Sequence, residues 1–498
     1  MTDVCLLLEG TYPYVRGGVS ACVYQLIKGT PHITYGIVYI GAKSGDVKKP
    51  RYEIPDNVEF IKEIFLYEED IETEAVDLGR DFDSSTFEDY HQHVSSGEAF
   101  KLEAFYRQFI DSNSAKINLF DILKSKQGWD SILNMHQKLF SLREAPPFID
   151  FFYSWRYLNL PIFKILSTEI PRASIYHSLS TGYAGLLGAV AKVRYGAPFI
   201  ISEHGIYSHE REIEISQADW LYNFESGLKI EKKLPFFKNW WINMFHFMSK
   251  TAYEYADTIT TLYNGNREKQ IKFGAQKSKC QIIPNGIKIG DAKRDSDRGD
   301  ELVIGLVGRV VPIKDIKTFI KSISLVFERV ENIKVIVMGP YEEDPDYYLE
   351  CKDLISLLGL DSCIEFTGNV NLVDYYPKLD IMVLSSISEG QPIVLLEAFT
   401  YGIPCVTTDV GSCSELIFGM EQADRDLGPA GDVVPFGHPE ELGNSIATIL
   451  LNPVKMKEMG EVGKIRVKRY YTEEHYLSNH LNLYNKFSLV GGKASWRE

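Results

Sequence analysis

The stretch SEGQPIVLLEA at Ser388–Ala398 decides the fold prediction, because it joins a polar turn to the start of a helix. The apolar run Ile381–Leu384 before it predicts a buried strand. Pro392 suits a first helical turn, where its missing N–H costs nothing. The pattern therefore places Glu389 in the turn and Glu397 on the helix. The free N–H groups and partial positive charge of a helix start suit a phosphate or a row of hydroxyls.

Strand-like runs alternate with helical segments along both halves of the chain. In the first half the predicted strands are Val4–Leu8, Thr34–Ile40, Ser174–His177, Phe199–Ser202 and Thr258–Leu262. In the second half they are Val303–Val307, Lys334–Met338, Ile364–Thr367, Ile381–Leu384 and Pro404–Thr407. This alternation predicts an α/β protein with parallel sheets wrapped by helices.

The length of 498 residues exceeds what one hydrophobic core usually organises, so two or three domains are expected. The charged stretch Gly290–Asp300 predicts a linker between a first domain at residues 1–289 and a second at residues 300–472. Residues 64–165, rich in acidic and aromatic side chains, break the alternation and predict a mostly helical insertion in the first domain.

Composition narrows the function classes. The 53 basic and 68 acidic residues give a net charge of −15, which argues against nonspecific nucleic-acid binding. No apolar run of about 18 residues occurs, and the first residues lack the features of a signal peptide, so a cytoplasmic protein is expected. The seven cysteines form no C-x-x-C pair, which disfavours a disulfide framework and a structural zinc site.

The sequence predicts neither a metal site nor a cofactor. The letters D-x-D occur without a preceding apolar strand run at Asp81–Asp83, Asp295–Asp297, Asp344–Asp346 and Asp424–Asp426. The pair His91 and His93 lacks a completing ligand cluster, so a solvated face is the favoured interpretation. There is no P-loop, no G-x-S-x-G and no full G-x-G-x-x-G, which leaves hydrolase, ATPase and dehydrogenase functions with little support.

Five ordered segments resemble the family 4 retaining glycosyltransferases of the GT-B fold. They are IPNGI at Ile283–Ile287, VGRVVPIKD at Val307–Asp315, the E-x7-E pair in Ser388–Ala398, TDVGS with ELI in Thr408–Ile417, and GDVVP at Gly431–Pro435. The resemblance implies two Rossmann-like domains facing across a cleft, with a last segment, residues 473–498, crossing back to the first domain. One departure is Asp315, where many members have Gly, and it bears on the backbone of that turn.

The resemblance also implies roles for charged side chains. Arg309 and Lys314 would pair with the donor diphosphate and stabilise the charge on the leaving oxygen. Glu389 would meet the sugar or phosphate side, and Glu397 the ribose hydroxyls. His204, after the strand Phe199–Ser202, would orient the acceptor or contact the donor sugar; a hydrogen-bonded histidine at a strand end explains it equally well.

Backbone groups complete the predicted site. The amides of Ile393 and Val394 would face sugar hydroxyls, and the backbone around Val370 would meet the nucleobase, although turn formation explains the Gly-Asn pair before Val370 nearly as well. Near the start of the chain, Gly17 and Gly18 would let backbone amides approach a diphosphate closely.

The opening CLLLEGTYPYVRGGVS at Cys5–Ser20 is similar to that of the cytosolic glycosyltransferases of bacterial Pel exopolysaccharide synthesis, and Pro312–Asp315 shares this likeness. It implies a UDP-sugar donor, with UDP-glucose favoured and N-acetylhexosamine donors open, and a glycan acceptor. It also implies association at the cytoplasmic face with a membrane Pel synthase complex. The alternatives are a UDP-sugar 2-epimerase of the same fold and a non-catalytic nucleotide-sugar-binding subunit.

Overall fold

The protein forms two compact units. The computed structural model describes residues 2–46, 49–68, 76–78, 82–109, 119–140, 145–217, 236–290 and 301–488. Among them, the first unit comprises the residues up to Thr261, Arg267–Gln281 and the residues from Leu481, and the second unit comprises Leu262–Asn266 and Ile282–His480. Except for Gly290, the predicted linker lies outside the described residues.

The first unit is built on a seven-stranded sheet with the order β3-β2-β1-β4-β5-β6-β7. Its strands are β1 Thr2–Glu9, β2 Tyr35–Gly41, β3 Val58–Phe65, β4 Ala173–Ser178, β5 Phe199–Glu203, β6 Thr258–Thr261 and β7 Cys280–Ile282. Its helices are α1 Gly18–Gly29, α2 Ser84–Ser96, α3 Leu102–Phe109, α4 Lys126–Leu139, α5 Phe148–Ser167, α6 Tyr183–Tyr195, α7 Tyr207–Gln217, α8 Phe236–Tyr255 and α9 Asn264–Lys272. The pairs from β3 to β6 are parallel. Because helices cover both faces of such a sheet, its inner strand β1 contains the continuous apolar run Val4–Leu8.

The second unit is built on a six-stranded parallel sheet with the order β10-β9-β8-β11-β12-β13. Its strands are β8 Leu302–Val307, β9 Ile333–Met338, β10 Ile364–Gly368, β11 Ile381–Leu384, β12 Cys405–Thr408 and β13 Gly431–Val434. The helices that follow are α10 Ile316–Phe327, α11 Pro345–Leu357, α12 Ile393–Thr400, α13 Cys413–Phe418, α14 Gln422–Arg425, α15 Pro439–Leu450, α16 Pro453–Tyr470 and α17 Glu473–Ser488.

Side chains of β8 alternate between two separate apolar cores. Ile304 and Leu306 pack in the core on one face of the sheet, whereas Val303 and Val307 pack in the core on the other. This alternation follows from the two-residue period of a strand. Both faces are therefore covered, as in other parallel sheets.

Strands β3, β7 and β13 are missing from the sequence prediction. The strand β3 lies at the edge of its sheet and carries charged side chains between apolar ones, so it shows no continuous apolar run. It extends to Phe65, and the predicted start of the insertion at residue 64 therefore falls inside a strand. The segment between β3 and β4 contains α2 to α5, and its aromatic residues, such as Phe105 and Trp155, belong to the core of the first unit.

His91 is a core residue, and the interpretation of this histidine pair as a solvated face is wrong for it. Its side chain is buried on α2, with the Phe87 ring edge-on at 4.4 Å and the Trp155 ring at 5.5 Å. Burial lowers the pKa of His91 to about 3, so the ring is neutral at ordinary pH. His93, on the exposed side of the helix, contacts the carbonyl of Asp89 at 2.9 Å.

The end of α17, from Leu481 onward, belongs to the first unit and joins a buried chain of polar side chains there. His177 Nδ1 lies 2.8 Å from the Tyr484 hydroxyl, and its Nε2 lies 2.8 Å from Ser202 Oγ. These bonds satisfy an imidazole that is fully buried on β4.

Among the described residues, no helix is both long and apolar enough to span a membrane. The seven cysteines all lie within the described residues, and none of them forms a disulfide bond.

Candidate functional site

The second sheet has a point at which its strand order reverses. From β8 the chain adds β9 and β10 on one side, whereas β11, β12 and β13 follow on the other. The loops after β8 and β11 therefore leave neighbouring strands in opposite directions, which opens a crevice at the carboxyl ends of the strands. Open α/β sheets bind ligands at such a position.

Two side chains predicted for the site meet at this point. Lys314, from the loop after β8, places its Nζ 2.5 Å from Oε1 of Glu389, from the loop after β11. Ser386 Oγ donates to the same carboxylate oxygen at 2.6 Å, and Ser385 Oγ donates to the carbonyl of Lys314 at 2.9 Å. The side chains of Lys314 and Glu389 are 20% and 13% exposed, so the pair is shielded but reachable.

The conformation of Asp315 explains how an aspartate can occupy the position where many family members have glycine. Its backbone lies in the left-handed region, with φ 47° and ψ 50°, which glycine adopts without strain. Aspartate is among the residues that tolerate this conformation. Its side chain also accepts a hydrogen bond from the Thr318 N–H at 3.3 Å and so caps α10. The turn geometry expected for glycine is therefore retained, and the carboxylate adds a helix cap.

Arg309 lies in the turn between β8 and Lys314, in an ion pair of its own. Its Nη1 is 2.5 Å from Oε1 of Glu343, and both side chains are about half exposed. Exposed pairs of this kind contribute little to stability, so the guanidinium can exchange Glu343 for an anionic ligand at small cost. Lys314 therefore pairs with Glu389, whereas Arg309 forms a separate and more exposed ion pair with Glu343.

Glu397 lies on α12 and is held by a tyrosine that the sequence prediction missed. The Tyr376 hydroxyl donates to Oε2 of Glu397 at 2.6 Å, and the Tyr376 ring stacks on Tyr401 with centroids 5.3 Å apart. Burial raises the pKa of Glu397, and the bond from Tyr376 partly opposes this shift. The sequence signal that could have indicated Tyr376 was an aromatic run just before β11. Such a run by itself predicts a packing role and not a hydrogen bond to Glu397.

The predicted backbone groups lie on one apolar cluster of the second unit. Val370, Ile393 and Val394 are partly buried against the core that contains Val307. Helix α12 begins at Ile393, so the prediction of Pro392 inside its first turn is wrong by one residue. Pro392 has ψ 104°, which is extended, and its carbonyl accepts from the helix. As the first helical residues, Ile393 and Val394 have N–H groups that no preceding turn can satisfy.

Gly411 brings a second loop onto the Glu389 turn. Its φ of 57° favours glycine, and a Cβ there would lie 2.3 Å from the Gly390 carbonyl oxygen and 2.4 Å from that of Glu389. Only glycine permits this approach, which lets the Ser412 N–H donate to the Gly390 carbonyl at 2.9 Å. The loop after β12 therefore supports the turn that carries Glu389.

Gly17 and Gly18 begin α1 in the first unit, where the strand order reverses between β1 and β4. A Cβ at either glycine would meet no atom within 4 Å, and the φ of Gly17, 171°, is open to any residue. Neither packing nor backbone strain requires these glycines. Glu9, the last residue of β1, accepts a hydrogen bond from the Tyr207 hydroxyl at 2.7 Å, and burial raises the pKa of Glu9.

His204 follows β5 in the first unit and is partly buried. The preceding residue, Glu203, is fixed by bonds from Thr181 Oγ1 at 2.9 Å and Gln270 Nε2 at 3.0 Å, and by the Tyr253 hydroxyl. Burial raises the pKa of Glu203. A fixed neighbour restricts the backbone from which His204 extends, and its role in the site stays a prediction.

The D-x-D motifs within the described residues have local structural roles. Asp83 caps α2, and Asp344 caps α11 by accepting from the Tyr347 N–H at 3.1 Å. Asp424 lies 2.6 Å from the fully buried guanidinium of Arg466. Asp81 and Asp295–Asp297 lie outside the described residues. In the part of the chain that the structure describes, no group of three or more His, Cys, Asp or Glu side chains is arranged to hold a metal.

Comparison with known proteins places this geometry in a fold class. Sucrose-phosphate synthase from Thermosynechococcus elongatus is 13% identical and superposes with a TM-score of 0.60 over 98% of this chain and 100% of its own. Anabaena HepE, solved in complex with UDP, is 14% identical with a TM-score of 0.58 over 97% of this chain and 99% of its own. The fold is GT-B, with two Rossmann-like domains.

Residues 2–278 match the family described as Domain of unknown function (DUF3492), and the chain belongs to this family. Residues 290–466 match Glycosyl transferases group 1. An uncharacterized glycosyltransferase of Methanocaldococcus jannaschii is 31% identical over 183 residues, which cover 34% of this chain and 46% of the relative. The capsular polysaccharide biosynthesis glycosyltransferase CapM of Staphylococcus aureus is 22% identical over 256 residues, covering 49% and 65%. This chain thus spans roughly half to two thirds of these curated relatives.

Proposed function

We propose that this chain is a retaining glycosyltransferase that transfers a hexosyl group from a UDP-sugar to a glycan acceptor. The contact between Lys314 and Glu389 carries the proposal, because it places a cation and a carboxylate at the strand-order reversal of a group 1 domain. A sugar-diphosphate needs both groups: a cation for the phosphates and an acceptor for sugar hydroxyls.

In the proposed reaction, the bond between the anomeric carbon and the UDP oxygen breaks, an acceptor hydroxyl oxygen forms the new bond to that carbon, and its proton is lost as UDP leaves with the negative charge on its diphosphate. Lys314 and Arg309 stabilise that charge as it grows, and Glu397 holds the ribose in the second unit. Gly17 and Gly18 let backbone amides approach a diphosphate, and His204 orients the acceptor or contacts the donor sugar. We propose retention of the anomeric configuration and transfer without a bound metal, since side-chain cations meet the leaving charge.

The particular activity that we propose is that of PelF, with UDP-glucose as the favoured donor, in the cytoplasmic synthesis of Pel exopolysaccharide beside a membrane synthase complex. Support comes from the opening Cys5–Ser20 and from Pro312–Asp315, the segments that resemble this group. The capsular polysaccharide role of the relative CapM agrees with a role in polysaccharide synthesis.

Calorimetry and product analysis on one protein preparation test the proposal. UDP-glucose, UDP-GlcNAc, UDP-GalNAc and ADP-glucose are titrated with a chelator and again with magnesium, and UDP release is followed with glycan acceptors. We expect UDP-sugar binding in chelator and UDP release that depends on the acceptor. An epimerised donor in the absence of acceptor would favour the 2-epimerase. Binding without any turnover would favour the non-catalytic subunit, and binding only with magnesium would contradict the metal-free site.

A further inference from the structure

Helix α5, in the segment between β3 and β4, exposes a row of large apolar side chains. Ile149, Tyr153 and Tyr157 are 53%, 57% and 60% exposed. Because they follow one another at intervals of four residues, they lie on one face of the helix, with a rise of about 6 Å from one to the next. Trp129 of α4, which is 44% exposed, packs beside them, with its ring centroid 5.2 Å from that of Phe152. We call Trp129, Ile149, Tyr153 and Tyr157 the α5 stripe.

Tyr67 joins the α5 stripe to the carboxyl-terminal edge of the first sheet. It lies two residues after the end of β3, and its N–H donates to the carbonyl of Ala42, just past the end of β2, at 3.2 Å. Its ring centroid lies 5.3 Å from that of Tyr157. Burial, the Tyr157 phenol and the Glu9 carboxylate raise the pKa of Tyr67, so the end of β1 is within electrostatic reach of this ring. One end of the stripe therefore lies at the carboxyl ends of the strands, where open α/β sheets bind ligands.

The composition of the α5 stripe favours a carbohydrate. Three of its four members are Tyr or Trp, whose rings combine an apolar face with one polar group. The C–H groups on one face of a sugar ring pack against such an aromatic face, while the sugar hydroxyls stay in water or bond to a phenol. An anionic lipid surface is disfavoured, because Asp130 is exposed next to Trp129 and the chain carries a net charge of −15. A second copy of the chain has the same negative charge, which opposes self-association.

We propose that the α5 stripe binds the glycan acceptor as an extended chain, with successive sugar units on Tyr157, Tyr153 and Trp129. This inference rests on the proposed function. The rise of about 6 Å between neighbouring members on α5 is close to the length of one sugar unit in a chain. Each further unit gains a further aromatic contact, so the affinity for an acceptor increases with its length until the stripe is filled. The segment between β3 and β4 thereby keeps a long acceptor bound between transfers.

Calorimetry with neutral oligosaccharides tests this binding. Disaccharides and octasaccharides of glucose, N-acetylglucosamine and N-acetylgalactosamine are titrated in the absence of nucleotide. We expect an octasaccharide to bind about tenfold or more tightly than the disaccharide of the same sugar. Tyr153→Ala combined with Tyr157→Ala should bring this ratio to within about twofold of unity, with UDP affinity within about twofold of the wild type. Tyr153→Phe combined with Tyr157→Phe keeps both rings and should keep the ratio.

Phe327→Ala is a matched control in the second unit. It removes an aromatic side chain that is 48% exposed at the end of α10, and it should leave the octasaccharide ratio unchanged. Steady-state UDP release gives a second readout. In the double alanine variant, KM for the octasaccharide should rise by about tenfold, while kcat and the KM for the disaccharide stay within about twofold. If the double variant does not fold, Trp129→Ala decides, because it should lower the octasaccharide ratio by about threefold.

The outcomes separate this inference from the proposed function. A wild type that binds no UDP-sugar contradicts the proposed function, and the octasaccharide ratio, measured without nucleotide, then still decides whether the stripe binds glycans. UDP release with short acceptors, but no gain in affinity for any octasaccharide, overturns only this inference. An unchanged ratio in the double alanine variant also overturns it. Loss of binding to phosphatidylserine vesicles, or of a dimer in sedimentation, would in that case assign the stripe to a membrane or to a second copy.

Discussion

The Nζ of Lys314 lies 2.5 Å from Oε1 of Glu389, although the two residues are 75 positions apart in the chain. Their loops leave adjacent strands, β8 and β11, at the reversal of the strand order. Under the proposed function, the donor diphosphate would compete with Glu389 for the ammonium group. The ion pair with Glu389 compensates the partly buried charge of Lys314 in the absence of donor.

Lys314→Ala should lower kcat by on the order of a hundredfold or more, with a smaller loss of donor affinity. The reason is that the cation acts most strongly on the charge that develops in the transition state. Steady-state UDP release and calorimetry measure the two effects. Lys317→Ala, which removes an exposed cation one turn away on α10, is the control and should keep kcat within about twofold. Equal kcat values in both variants would remove Lys314 from the proposed mechanism.

Glu397→Gln should make the protein more stable near neutral pH while it weakens UDP binding. Burial raises the pKa of Glu397 above 4.5, so the folded state holds the proton more tightly than the unfolded chain does. The stability from this group is fully present below that value and is lost as the pH rises through the folded pKa. Denaturant unfolding should give a larger free energy of unfolding for the variant than for the wild type at about pH 7.5. This difference should vanish at about pH 4. A difference independent of pH would contradict the assigned burial effect.

Tyr376→Phe should lower UDP affinity by about tenfold or more, because hydrogen bonds to charged groups contribute about 1.5 to 3 kcal/mol. The hydroxyl at 2.6 Å fixes the carboxylate of Glu397 in the position proposed for ribose. Calorimetry with UDP gives the readout. Tyr401→Phe keeps the stacked ring and the bond between Tyr376 and Glu397, and should change UDP affinity by less than about twofold. Equal affinity in the Tyr376→Phe variant and the wild type would show that Glu397 needs no orienting partner.

Asp315→Ala should destabilise the second unit by about 2 kcal/mol, half from the lost cap and half from left-handed strain. Asp344→Ala is a matched control that loses a cap at φ −137°, without such strain, and should cost about 1 kcal/mol. Asp315→Gly loses the cap but relieves the strain, so it should lie between the wild type and Asp315→Ala. The order is measured by denaturant unfolding. A larger loss in Asp315→Gly than in Asp315→Ala would show that the backbone strain has been misjudged.

Much of the fold was predictable because its signals are local. The apolar runs of β1, β8 and β11 reflect strands covered on both faces, and the alternation with helices gave the α/β class. The sequence prediction missed the edge strand β3 because charged side chains interrupt its apolar residues. The start of α12 was placed one residue early, since a proline at the cap and one in the first turn look alike in sequence.

The sequence by itself determined the turn after β11 and the types of side chain placed around it, because the strand run, the polar turn and the proline act within one short segment. Only the tertiary structure decided which groups meet. Lys314 reaches Glu389, Tyr376 reaches Glu397, and the Asn285 N–H reaches Gln391 across 106 residues. Such contacts depend on the order of strands in the sheet and on loop approach at Gly411, which bring together residues that no local periodicity links.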